Sequence, residues 1–153
     1  MMNRPTLVFI LLAGLAVAAC KKDDDKQIAP TANLVELTAT IDGSQQVPLL
    51  PPDSTTATGT FAGTFNRDTK VLKYTIVCTG FTLTSAHLHL GGPGHVSAVK
   101  KTIFNDLTSP IEGEVVLNDA QIVDSLLNNR TYINLHSARF QAGGEIRGNV
   151  RVK

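Results

Sequence analysis

The sequence predicts an all-β domain, an immunoglobulin-like or Greek-key β-sandwich of about seven or eight strands with one short helix. Three observations carry that expectation: apolar and polar residues alternate in short bursts, turn residues separate the bursts, and only one stretch has helical spacing. "LVELTATI" (34–41) sets Val35, Leu37, Ala39 and Ile41 on one face, and "DGS" closes it. "QQVPLLPPD" is too rich in proline for a central strand and reads as an edge or a loop. "TATGTFAGTF" (56–65) points Phe61 and Phe65 inward and its threonines outward. "NRDT" then turns the chain into "KVLKYTIVC" (70–78), which makes a hairpin of the two.

"TSAHLHL" (84–90) has Ala86, Leu88 and Leu90 on its apolar face and Ser85, His87 and His89 on the polar one. "VSAVKKTIF" (96–104) and "SPIEGEVVL" (109–117) read as further strands. "NDAQIVDSLLNNR" breaks the alternation: Ile122, Val123, Leu126 and Leu127 form one helical stripe, with Asn118 as the expected N-cap and Gln121 three residues on. "TYINLHSARF" (131–140) returns to strand, Ile133 and Leu135 inward, Tyr132, Asn134 and His136 outward. The last strand carries Ile146, Val150 and Val152 on one face and Glu145, Arg147, Asn149 and Arg151 on the other.

The N-terminus is not part of this domain. Residues 1–19 have a basic residue, Arg4, an apolar run from Leu7 to Val17 and small residues before Cys20, the anatomy of a secretory signal. The apolar run is short for a bilayer span. Val17-Ala18-Ala19-Cys20 resembles a bacterial lipobox, so Cys20 is expected to be lipidated and to become the mature N-terminus, tying the protein to a membrane. Residues 20–32 are polar and read as a flexible tether, leaving 33–153 as the folded domain. Lys21-Lys22-Asp23-Asp24-Asp25 resembles the Lys-then-acidic signal that exports lipoproteins to the cell surface in Bacteroidetes-type bacteria. The expected address is therefore the outer membrane, facing outward.

The leader and tether hold four of the 14 basic and three of the 13 acidic residues, leaving ten of each in the domain. A neutral domain argues against nucleic acid or an anionic membrane surface as its electrostatic partner. Cys78, the one thiol left, shares a face with Leu72, Tyr74 and Ile76 and reads as a small buried hydrophobe. No nucleophile with a base at catalytic spacing is identifiable, and "GGPG" lacks the Lys-Ser or Lys-Thr of a phosphate loop. Binding or scaffolding, with a protein or glycan as partner, is expected ahead of catalysis. "DST" (53–55) and "DSL" (124–126) match a short O-glycosylation acceptor pattern, too brief to weigh.

The polar face is the informative part. On a strand His87 and His89 project to the same side about 7 Å apart at Cα, and His136 follows on another strand. Three imidazoles with an open position suit zinc or copper, with His95 or Glu145 as a fourth ligand. The alternative is a self-satisfying network of Ser85, His87, His89, Tyr132, Asn134, His136, Glu145 and Arg147, with Glu145 pairing Arg147 or bracing imidazoles.

"GSQQVPLLPP", "SAHLHLGGPG", "LNDAQIVDSLLNN" and "YINLHSARFQAGGEIRGNV", in that order, resemble the chordin-type domain called CHRD over nearly all of residues 34–153. The resemblance implies a β-sandwich, secreted or anchored outside the cell; in animals such domains occur in chordin, which binds growth factors of the bone morphogenetic type. For bacterial members it implies no established activity. It draws attention to His87, His89, His136, Glu145 and Arg147. Gln46 stands where the family commonly has Glu. The histidine pattern also resembles copper-zinc superoxide dismutase, but the zinc-loop ligands and the second cysteine of that enzyme are missing, which makes superoxide chemistry remote.

Overall fold

A computed structural model of the chain describes residues 33–102 and 107–153. The signal, Cys20 and the tether lie outside these residues, as do positions 103–106 at the end of the "VSAVKKTIF" stretch. The described strands are β1 Leu34–Asp42, β2 Thr58–Asn66, β3 Val71–Thr79, β4 Ser85–Leu90, β5 Val99–Lys101, β6 Ile111–Val116, β7 Thr131–His136 and β8 Ile146–Val152, and the helix α1 spans Ala120–Leu127. The all-β architecture with one short helix is thus as the alternation predicts.

All eight strands belong to one antiparallel sheet, in the order β5-β4-β7-β8-β1-β2-β3-β6. The first three form a meander. β1 and β2 pair from Leu34↔Asn66 to Asp42↔Thr58, and β2 pairs with β3 across the "NRDT" turn. That turn is set by Asn66, whose side-chain oxygen accepts from the backbone N–H of Asp68 and Thr69 at 2.8 and 3.0 Å. The final strand β8 returns beside β1, which is Greek-key order for the meander and its closing strand. β4 and β7 lie beyond β8, so three strands from the second half of the chain are neighbours.

One apolar cluster draws on strands along nearly the whole sheet, including Leu37, Ile41, Phe61, Phe65, Leu72, Ile76, Leu88, Ile111, Ile133, Leu135 and Val150. A helix of eight residues cannot cover such a sheet. The single sheet therefore wraps this shared core, consistent with a sandwich or half-barrel built from one ladder. Helix α1 plugs one side with Ile122 and Leu126 buried and Val123 and Leu127 half-buried against the cluster. Cys78 packs against the same cluster, and burial pushes its thiol pKa up, as fits a packing role.

The structure corrects two local expectations and narrows a third, the proline-rich stretch, to a loop. The helix is capped by Asp119, whose carboxylate accepts from Gln121 N–H at 2.8 Å, rather than by Asn118. The Asx side chain one residue later has the right reach to N2. We expect Asp119→Ala to lose about 0.5–2 kcal/mol and Asn118→Ala to stay within about 0.5 kcal/mol, measured by urea unfolding. The proline-rich stretch is a loop, entered by a 3₁₀ turn at Gly43–Gln45. Finally, β7 has no outward face: all six of its residues are buried, Tyr132, Asn134 and His136 included.

A candidate metal site under three loops

The second face of β7 is buried because loops roof it. In the register of β4 and β7, His87 lies opposite Asn134, His89 opposite Tyr132 and Ser85 opposite His136. In that of β7 and β8, Asn134 lies opposite Arg147. The polar residues of three adjacent strands thus form one patch. Over it come Gln46 from the loop after β1, Val96 and Ser97 from the loop after β4, and Gln141 to Gly143 from the segment between β7 and β8. They enclose a cleft of about 270 Å³ that has the three imidazoles in its wall.

Hydrogen bonds fix the imidazole tautomers. His89 Nδ1 lies 3.0 Å from the Ser97 carbonyl and His136 Nδ1 lies 2.9 Å from that of Gln141. A carbonyl only accepts, so both Nδ1 atoms carry the proton and both Nε2 atoms keep a lone pair. His87 Nδ1 then donates to His136 Nε2 at 3.1 Å. The Nε2 of His89 is buried without a partner. His87, His89 and His136 each offer one ligand atom, all three within 4.8 Å of one another.

These features are compatible with metal ligation. An imidazole that binds an ion through one nitrogen commonly donates the other N–H to a carbonyl, which sets ring orientation and basicity; His89 and His136 both do. Nitrogens around a tetrahedral ion at bond lengths near 2.0–2.1 Å stand about 3.3 Å apart. The His87–His136 pair is already near that spacing, and the remaining closure asks for rotation of His89 and for the His87 proton to move from Nδ1 to Nε2, which frees the Nδ1 lone pair.

Burial and neighbouring charges favour the neutral forms of His87 and His89. Desolvation, then the charges of His136 and His89, push the His87 pKa below the usual imidazole value. Desolvation does the same for His89, with lesser contributions from His136 and Arg147, although its bond to Ser97 pulls the other way. The unfolded chain, with ordinary imidazoles near pKa 6.5, therefore binds more protons than the folded one below that pH, and stability rises with pH. We expect the metal-free domain to lose stability as the pH falls from about 6.5 toward 5, and His87→Gln to flatten that dependence, both read from urea midpoints.

Around the trio the aromatic and cationic side chains are stacked. The Tyr132 ring lies 4.7 Å from that of His89 at an interplanar angle of 10°, and the Arg147 guanidinium sits 3.6 Å from the Tyr132 ring centre. Since β7 runs between β4 and β8, Tyr132 separates the imidazole from the cation. Its hydroxyl accepts from Ser97 N–H at 3.2 Å, which ties the roof to the stack. Asn134 takes a bond from Gln46 Nε2 and donates to the Gly143 carbonyl, both at 2.9 Å.

Two expected members are placed elsewhere. Glu145 is buried, but its carboxylate accepts from the Thr55 hydroxyl at 2.6 Å and neither pairs with Arg147 nor braces an imidazole. Its place just before β8, beside the loop that leads into β2, gives it a different neighbourhood. His95 is exposed and bonds back to the Pro93 carbonyl within its own turn. Neither joins the three histidines in a ligand group. In the two glycosylation-like triplets, the Ser54 hydroxyl is buried without a partner and Ser125 is buried in α1.

Gln46, Ser97 and the Gln141 carbonyl are the contributors that alternation cannot find. Gln46 had one signal, its place in the "GSQQVPLLPP" block. The other two act through backbone carbonyls, which leave no trace in residue type. A family model described as CHRD domain matches residues 37–150 of the chain. No curated protein and no solved structure matches it.

Proposed function

Since the chain belongs to the CHRD domain family, we propose that it is a lipid-anchored binding module of the bacterial outer membrane whose sandwich domain takes a zinc or copper ion through His87, His89 and His136. The observation that carries this reading is the convergence of three imidazole nitrogens, two of them backed by carbonyls and one, His89 Nε2, buried without a partner. Among the described residues the cleft wall holds no Cys, Asp or Glu, which favours binding or carriage of the ion over hydrolysis. The anchor is supported by the lipobox-like Val17-Ala18-Ala19-Cys20. Cys20→Ala is expected to move the protein from the membrane to the soluble fraction, and persistence in the membrane would rule the lipid anchor out.

A second reading has an observation in its favour: the His87–His136 bond and the two carbonyl bonds nearly complete a network that needs no ion. Metal content decides between them. Purified without a polyhistidine tag, the protein is expected to hold close to one zinc or copper per chain by elemental mass spectrometry, and His87→Ala to hold none. A native chain that stays empty after reconstitution, with a variant that is merely less stable, would make the trio architectural.

A further inference from the structure

Charge in the cleft points to a second ligand. Arg147 is 1% exposed and has no carboxylate among its partners: Nη2 donates to the Gly92 carbonyl at 2.9 Å and to Asn149 Oδ1 at 3.1 Å, and Nε has no hydrogen-bond partner. Among the described residues no Asp or Glu lines the cleft. Guanidinium stays protonated at any physiological pH. The site therefore holds a buried cation, stacked on Tyr132 but without a carboxylate partner among the described residues, one aromatic ring away from His89, and the cost of such a cation falls when an anion comes close.

A bound ion sharpens this imbalance. Three neutral imidazoles bring no negative charge to a divalent metal, so the whole of its charge adds to that of Arg147 in a partly water-excluded space. Three protein ligands also leave a coordination position open. Glu145, which would have supplied an internal carboxylate, is engaged by Thr55 on another side.

We infer that the open position is taken by a small exogenous anion, bound to the metal within the field of Arg147, which acts across the Tyr132 ring, in the cleft roofed by Gln46, Ser97 and Gly143. This rests on the metal reading above and goes beyond it, because it makes the site one for a metal–anion pair. The anion replaces water on the ion and is bound without being transformed.

The test uses the full chain as processed, loaded with copper(II), with azide as the spectroscopic probe and acetate as competitor. We expect an azide-to-copper charge-transfer band that acetate suppresses. Arg147→Gln is expected to weaken azide about tenfold, and Arg147→Lys to stay within about threefold of the parent, with copper stoichiometry the same in all three. Arg147 offers no ligand atom to the ion, so copper content reports on the histidines alone. Equal azide affinity in parent and Arg147→Gln, no azide binding by the copper-loaded parent, or no competition from acetate would each overturn the inference while leaving the metal site standing. An absence of stoichiometric copper in the parent would instead remove the metal reading, and this inference with it. Should Arg147→Gln fail to fold, the parent titration still decides whether the open position takes an anion, and no azide binding there overturns the inference.

Discussion

Replacing His136 by alanine is expected to weaken zinc or copper binding by more than about 100-fold, since the loss of an outer partner of a ligand already costs about 10–100-fold. His136 is the hub of the trio. Its Nε2 accepts from His87 and its Nδ1 donates to Gln141 O, so one ring links β4 to the segment that roofs the cleft. Without it His87 Nδ1 and the Gln141 carbonyl lose their partners, and we expect about 1–3 kcal/mol of destabilisation even in the absence of metal. The two effects separate in a thermal melt. Metal at 100 times its dissociation constant adds about 2.7 kcal/mol to a protein that binds it only when folded, so the parent melting temperature should rise on adding zinc while that of His136→Ala stays put. A variant still stabilised by zinc to the parent's extent would show that His136 is no ligand.

Gly144→Ala is expected to cost about 3–5 kcal/mol, combining left-handed backbone strain with the loss of a buried amide network. Gly144 has φ +89, and a Cβ built there would come within 2.2 Å of Asn134 Oδ1, with the whole carboxamide inside 2.5 Å. Asn134 is 5% exposed and cannot step aside without giving up Gln46 or Gly143. The neighbouring residue supplies the control: a Cβ at Gly143 meets nothing within 4 Å, and Gly143→Ala should leave stability within about 0.5 kcal/mol. Urea unfolding of both decides it, and a silent Gly144→Ala would mean that the segment before β8 can shift freely. Because the same network forms the cleft wall, Gly144→Ala is also expected to weaken metal binding.

The strands themselves are legible from the sequence. In β2 the residues Phe61, Gly63 and Phe65 are buried and their neighbours are not, as strict alternation requires when one face meets a core. Beside them β3 buries Leu72, Tyr74 and Ile76 in the same rhythm. β7 is where alternation fails, because burial of its polar face comes from loops distant in sequence: Gln46 lies 88 residues from the Asn134 it bonds. A period of two reports which side chains share a side and is silent on what lies over them.

Legible in the sequence were the class of the fold, the approximate spans of most strands and of the helix, the one-sided placement of His87 with His89, and the polar character of the face that carries His136. The expected strand 96–104 is instead the three residues Val99–Lys101 among the described residues. The legible features are local consequences of pleat, helical pitch and turn chemistry, each written within a few residues. Only the tertiary structure decided that β4, β7 and β8 are neighbours, that His87 reaches His136 while Glu145 turns to Thr55, and that Arg147 is buried without a counter-charge. Strand order and the path of roofing loops are set by the free energy of closing the whole sheet around one core, a sum over distant contacts that no local pattern records.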